Sequence, residues 1–239
     1  GNTIIQKVGH PINSYNLLIA ERVLRASYFE SDGVTPKSGV AIYSGQRAGD
    51  TKWKDVSGPN GTPDGIIDSY DYTVAGNYQP DFEWGLTNTF ESKGFDMSIL
   101  LQGRVGGDLL SIGSRGWNKP TNDPRWLYME QWLTKAYWSE DDPGNGKVPA
   151  FYATVTGREY DTNWLYDATY VRIKNITLGY TIPIKKSILS RARVYVSCDN
   201  VYMWDNYYPG FSPEAATQDN ASSDWGSYPQ ARTFSFGLN

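Results

Sequence analysis

Phe82-Glu-Trp-Gly-Leu-Thr-Asn-Thr-Phe90, a turn at Ser92-Lys93-Gly94, and Phe95-Asp-Met-Ser-Ile-Leu-Leu-Gln102 decide the fold class. In the first run Trp84, Leu86 and Phe90 alternate with Gly85, Thr87 and Thr89. In the second, Phe95, Met97, Ile99 and Leu101 alternate with Asp96, Ser98 and Gln102. A repeat of two is the side-chain period of a strand, because successive Cβ atoms leave opposite faces of a pleated chain. Two such runs joined by a short Gly-bearing link read as a hairpin with one apolar face.

The same period recurs toward the end of the chain. Val194, Val196 and Cys198 alternate with Arg193, Tyr195, Ser197 and Asp199, and Phe234, Phe236 and Leu238 stand opposite Thr233, Ser235 and Gly237. Ile176, Leu178, Tyr180 and Ile182 share one phase, whereas Val171 and Ile173 before them sit in the other. A β-bulge near Asn175 reconciles the two, since one extra residue reverses the phase. Ile12 to Val23 reads as a weaker strand because Leu17, Leu18 and Ile19 run without alternation. The expectation is an all-β chain of roughly six strands of ~10 residues each.

Composition narrows what such strands serve. The net charge is −4, so no basic surface exists to neutralise a phosphate backbone, and nucleic acid is excluded as a partner. One Cys makes neither an internal disulfide nor a thiolate metal site, and one His removes paired-imidazole sites, so any bound metal must use oxygen ligands. No apolar run approaches the ~20 residues of a transmembrane helix, yet a membrane β-barrel hides its lipid face in alternation and keeps a low mean hydropathy. Aromatics at 15% suit either barrel girdles or a glycan-binding β-protein that stacks rings on rings. Gly1 to Lys7 shows no basic stretch before an apolar core, so no signal peptide is expected in these residues.

The connections alternate in length. Ser92 to Gly94 and Pro183 to Ser190 are short; Leu24 to Pro80, Leu110 to Asp167 and Tyr207 to Arg232 are long and polar. A compact domain seldom needs three long excursions at one end of its sheet, whereas an outer-membrane barrel has turns on the periplasmic side and long loops outside. In the middle excursion Asn122 or Asp123 suits a helix cap and Pro124 the first helical turn. Trp126 to Trp138 lacks Gly and Pro, so one short loop helix is expected there.

Several blocks together resemble the C-terminal part of SusC/RagA-type TonB-dependent outer-membrane transporters. They are Asp64-Gly-Ile-Ile-Asp68, Gly76-Asn77, Phe82 to Phe90, Lys93-Gly-Phe-Asp96 and Leu101-Gln-Gly103. Tyr170-Val-Arg-Ile-Lys-Asn-Ile-Thr-Leu-Gly-Tyr-Thr-Ile-Pro183, Arg193-Val-Tyr-Val-Ser197 with Asp199-Asn200, and Tyr228 to Asn239 continue in family order. The resemblance implies that residues 1 to 239 are the C-terminal antiparallel strands of a large transmembrane β-barrel with long extracellular loops, clipped at both ends. It further implies a bacterial outer-membrane location and uptake of oligosaccharide or peptide. The partners implied are the remainder of the barrel and its plug, a SusD-like surface lipoprotein, TonB acting through an N-terminal part outside this chain, and outer-membrane lipid.

One constellation carries metal chemistry. An EF-hand loop needs oxygens at positions 1, 3, 5 and 9, a carbonyl at 7, a carboxylate at 12 and Gly at 6. Counted from Asn60, those places hold Asn60, Thr62, Asp64, Ile66, Asp68 and Asp71, with Gly65 at the turn. The compact pattern of the resembled family starts instead at Asp55 and Ser57, with Pro59 to Pro63 inserted. Either register makes a Ca²⁺ loop; the alternative is a turn whose Asx side chains bond their own backbone.

No catalytic set emerges. Glu140, Asp141 and Asp142 read as a solvated acidic run, His10 has no second imidazole or nucleophile near it, and Cys198 reads as a small hydrophobe. The protein is not expected to be an enzyme. Trp117, Trp126, Trp132 and Trp225 lie in the long excursions, where they either pack loops or contact substrate or a covering partner. Trp164 and Trp204, with Tyr166, Tyr202, Tyr207 and Tyr208, suit an interfacial girdle. A secreted glycan-binding β-sandwich with a Ca²⁺-stabilised loop is the alternative. A sandwich needs its apolar faces packed together, and the small polar set opposite Phe234, Phe236 and Leu238 favours the barrel.

Overall fold

The computed structural model describes residues 3–111, 139–142, 149–150, 160–184, 191–207, 212–214, 223–224 and 228–239. The chain divides into two compact units. One comprises Gly1–Tyr78, Leu109–Tyr166 and Thr217–Gly226, and the other comprises Gln79–Asp108, Asp167–Ala216 and Ser227–Asn239. The described residues are nearly all strand and turn, with short 3₁₀ turns at Ala26–Tyr28, Ser69–Asp71 and Thr162–Trp164. No helix among them is long and apolar enough to cross a membrane. The loop helix expected around Trp126 to Trp138 lies outside the described residues.

The second unit is a single antiparallel sheet, here called the wall. Its strands are β1 (Phe82–Ser92), β2 (Phe95–Val105), β3 (Tyr170–Ile182), β4 (Ala192–Asp205) and β5 (Thr233–Leu238), ordered β5-β4-β3-β2-β1. The β1–β2 hairpin closes in two residues, Lys93 at φ 48° and Gly94 at φ 89°. Positive φ at both central positions is the type I′ geometry, whose twist matches that of the paired strands. Gly94 also accepts the Thr181 N–H at 2.7 Å, and a Cβ on Gly94 would lie 3.1 Å from the Thr181 carbonyl oxygen, so the neighbouring strand closes against the bare turn.

The bulge expected near Asn175 is present. Ile173 pairs with Leu101 and Tyr202, Asn175 pairs with Leu100 and Asp199, and the register slips between them on both sides. Lys174 is therefore the extra residue of β3 relative to β2. β4 carries its own extra residue there, with Asn200 at φ 52°. The slip puts Val171 and Ile173 on the same face as Ile176, Leu178 and Tyr180. Cross-strand rows then read Phe90, Met97, Leu178, Val196, Phe236 and, two residues along, Asn88, Ile99, Ile176, Cys198, Phe234. Apart from Asn88 these rows are apolar, and much of their surface is bare: Phe90, Leu178 and Phe236 are 55%, 45% and 82% exposed. From Phe95 to Val105, ten steps of ~3.4 Å tilted by ~40° span about 26 Å, the height of a barrel's apolar band.

The first unit is built differently. Ile4–Ile5, Ser14–Leu17 and Thr73–Asn77 form one small sheet, Ala20–Val23 pairs with Thr51–Trp53, and Ile42–Tyr43 runs parallel to Ile66–Ile67. Ile12 to Val23 is therefore not a sixth wall strand. Leu17 enters a buried cluster with Tyr15, Leu110 and Trp164, and the next residue, Leu18, enters another with Trp53 and Ile67. Alternation is lost there because both sides of the chain are buried.

Candidate functional site

The face of the wall opposite the apolar one is polar and cross-linked. β2 contributes Asp96, Ser98, Gln102 and Arg104, β3 Tyr170, Arg172, Asn175 and Thr177, and β4 Arg193, Tyr195, Ser197 and Asp199. At one end Arg193 Nε donates to Asp96 Oδ1 at 2.9 Å and Nη2 donates to Oδ2, a two-pronged ion pair. The pair crosses Gly179, where a Cβ would sit 2.6 Å from Asp96 Oδ1, so a larger residue there would displace the ion pair. Midway, Asn175 Nδ2 donates to Asp199 Oδ1 at 2.8 Å, and the Thr177 hydroxyl donates to Asn175 Oδ1 at 2.9 Å.

The densest network surrounds Arg172, which is 2% exposed on β3. Its Nη1 lies 2.7 Å from Glu214 Oε2, and its Nη2 donates to the Ser212 hydroxyl oxygen at 3.2 Å. Glu214 further accepts from Gln102 Nε2 at 2.5 Å, from the Tyr170 hydroxyl at 3.0 Å and from Gln230 Nε2 at 3.1 Å. Burial alone would raise the Glu214 pKa. The Arg172 charge and the donors from Tyr170 and Gln230 outweigh it, so the carboxyl is held below the ordinary glutamate value and is ionised at neutral pH. A cavity of about 280 Å³ beside the network is lined by Arg172, Asn200, Asp205, Ser212, Gln230 and Arg232, among others. Sequence reading missed this network. Arg172 carried only the signal of a polar phase, and Ser212-Pro213-Glu214 carried none.

The acidic loop folds around its own backbone. Asp71, 0% exposed, accepts N–H groups from Val56 at 2.8 Å, Ser57 at 3.3 Å and Asp68 at 2.8 Å. Asp68 accepts from the Tyr70 N–H at 2.8 Å, completing a reciprocal cap on the 3₁₀ turn, and Asp64 accepts from Ile66 N–H at 3.1 Å. Asp55 Oδ2 accepts from Gly65 N–H at 2.7 Å, while its Oδ1 is buried without a partner. The hydrogen bonds thus draw Asp55 and Ser57, not Asn60 and Thr62, toward Asp64, Asp68 and Asp71. Asn60 and Thr62 are exposed in a separate turn closed by Gly61 N–H to the Gly58 carbonyl. Ile66, whose carbonyl was the ligand expected at loop position 7, lies in the strand beside Ile42.

The six expected ligands are therefore not brought together. Among the described residues no group of three acidic or imidazole side chains is placed to hold an ion. Ca²⁺ asks for six to eight oxygens around one point, whereas here Asp55, Asp64, Asp68 and Asp71 each give at least one carboxylate oxygen to a backbone N–H group.

Trp117, Trp126, Trp132 and Trp225, the expected substrate or partner contacts, lie outside the described residues, as does Tyr208. Of the girdle set, Tyr202 and Trp204 stand on the apolar face, 52% and 53% exposed, with ring centroids 4.7 Å apart. Trp164 and Tyr207 depart from the expectation, being 5% and 3% exposed; Trp164 belongs to the core cluster of Tyr15 and Leu17.

No protein-family model matches the chain. Over 191 residues it is 33% identical to TonB-dependent receptor P3 of Formosa agariphila, which covers 73% of this chain and 18% of that protein. TonB-dependent receptor SusC of Bacteroides thetaiotaomicron is 27% identical over 185 residues, 73% of this chain and 16% of that protein. The RagAB peptide importer in its open-open state matches with a TM-score of 0.72 at 17% identity, over 99% of this chain and 23% of the other, which shows a shared fold. The chain spans about a fifth of the length of these relatives.

Proposed function

The chain belongs to the SusC/RagA type of TonB-dependent receptor as a segment of its β-barrel, and from that premise we propose that it forms part of the wall of a bacterial outer-membrane importer. The carrying observation is the wall itself: five antiparallel strands whose apolar side chains emerge on one face and stay exposed, with a hydrogen-bonded polar face behind them. In a barrel the first face meets lipid and the second lines the lumen. A secreted sandwich would bury that apolar face against a second sheet.

The importer takes up oligosaccharide or peptide, is covered at the cell surface by a lipoprotein, and is driven by TonB through a part of the protein beyond this chain. The name of the TonB-dependent receptor SusC supports the TonB drive and that of the RagAB peptide importer supports peptide as cargo, while oligosaccharide and the lipoprotein cover rest on the family resemblance. Transport of this kind proceeds by binding and gating without covalent chemistry.

Cysteine labelling of the full transporter in cells tests the wall, with Cys198 replaced by Ser. Leu178→Cys and Val194→Cys should resist a water-soluble maleimide, and a fluorophore attached there by a membrane-permeant reagent should be quenched by a lipid-phase nitroxide; free reaction with the water-soluble maleimide would refute the lipid-facing assignment. Growth of a strain lacking the transporter on defined peptides and oligosaccharides, rescued only when TonB is present, tests the transport assignment. Undiminished growth on all of them would overturn it.

A further inference from the structure

Ser212, Pro213 and Glu214 lie on the polar face of the wall although no strand of the sheet contains them. Ser212 is 1% exposed and Pro213 is also buried. Their attachment crosses β2, β3 and β4. Glu214 takes donors from Gln102 on β2, from Tyr170 and Arg172 on β3, and from Gln230 shortly before β5. Ser212 Oγ accepts from Arg172 Nη2 and from the Glu214 N–H, and with the Arg172–Glu214 ion pair the segment is tied to the same guanidinium twice. Arg172 in turn contacts Asn200 Oδ1 at 3.3 Å and Met203 Sδ at 2.9 Å on β4.

We propose that Ser212–Glu214 is a fixed strap across the lumenal face of the wall, with Glu214 as its bolt, and that it stays in place throughout the transport cycle as part of the lining of the route. This rests on the assignment of the polar face to the lumen.

Two physical arguments make the strap fixed. The Arg172 guanidinium is buried to within a few per cent beneath the strap, so lifting the strap breaks the Arg172–Glu214 ion pair and the Ser212 hydrogen bond together, and removing Glu214 alone leaves a buried guanidinium without its ion-pair partner. The carboxylate is also held by donors from several separate stretches of chain, so the rotation of any one donor side chain does not release it. A swinging element would be drawn instead from regions with few buried contacts.

Labelling of Pro213→Cys in the full transporter, in a Cys198→Ser background, reads the strap directly. Tyr228→Cys, at a position 92% exposed in the same unit, supplies the rate of a free site. With Glu214 intact, Pro213→Cys should react with a water-soluble maleimide at least ~10-fold more slowly than Tyr228→Cys, at the same rate with TonB present or deleted. Adding Glu214→Ala should bring it within ~3-fold of the free site. If that variant does not assemble, Glu214→Gln, which keeps the shape and loses the charge, should give a smaller rise of several-fold. Fast labelling with Glu214 intact, a rate indifferent to the substitution, or a rate that changes with TonB would overturn the proposal. Failure of the lumen assignment is separately visible, because Leu178→Cys would then react with the same maleimide.

Discussion

The two units of this chain solve opposite burial problems with the same kind of secondary structure. In the first unit Tyr15, Leu17, Leu18, Trp53, Ile67 and Leu110 are at most 2% exposed, and its core is apolar in the ordinary sense. In the wall the large apolar side chains are the exposed ones, Phe82, Phe90, Phe95, Phe234 and Phe236 among them, while the residues drawn in include Arg104 and Arg172, at 4% and 2%. A contiguous apolar face of this kind marks a surface meant for something other than water, whereas polar residues are tolerated inside because they partner one another. What a side chain faces, more than how hydrophobic it is, separates the halves.

The largest expected effect tests the ordinary core. Trp53 is fully buried and donates its indole N–H to Asp161 Oδ2 at 2.7 Å. Trp53→Ala should cost about 3–5 kcal/mol of local stability. It should be read in the full transporter as lost hydrogen-exchange protection at the Leu18, Leu24 and Lys54 amides. Protection at Ile99 and Leu178 in the wall should persist; if it falls equally, the two units do not behave as separate cores.

A charge on the wall gives the next effect and has the sharper contrast. Ile176→Arg, midway along β3 between Ile99 and Cys198, should cost about 2–4 kcal/mol if that face meets lipid near the bilayer midplane. Thr177→Arg, one residue on and facing the polar side beside Ser98 and Ser197, should assemble nearly as the parent does. The folded fraction from heat-modifiable gel mobility measures both. Equal tolerance of the two would erase the distinction between the faces.

The smallest effect concerns the acidic loop. Asp71→Ala strands the Val56, Ser57 and Asp68 N–H groups and should destabilise the loop by about 1–3 kcal/mol. Hydrogen exchange at those three amides should show the loss equally with Ca²⁺ or with chelator. Protection that rises with Ca²⁺ in the parent alone would instead mean that the loop rearranges to close on an ion.

Much of the wall was legible beforehand because each strand meets a different medium on each side, and period two records that difference residue by residue. The bulge at Asn175 was legible for the same reason, as a phase reversal between Ile173 and Ile176. The first unit was not: Leu17 and Leu18 enter different clusters, so a doubly buried segment read as a poor strand. Trp164 and Tyr207 read as girdle residues because position near a strand end says nothing of which neighbours arrive there.

The amino-acid sequence by itself determined the strand phases, a short turn within Ser92-Lys93-Gly94, the single Cys and single His, and the resemblance to SusC/RagA-type transporters. Those are properties of neighbours in the chain or of counts. Only the tertiary structure decided that Trp53 meets Asp161, 108 residues away, and that Gln102 meets Glu214, 112 residues away. It also showed that Asp71 takes backbone N–H groups of the preceding segment. A polar side chain is satisfied by whichever donor or acceptor folding brings within hydrogen-bond reach, and no local period encodes that partner.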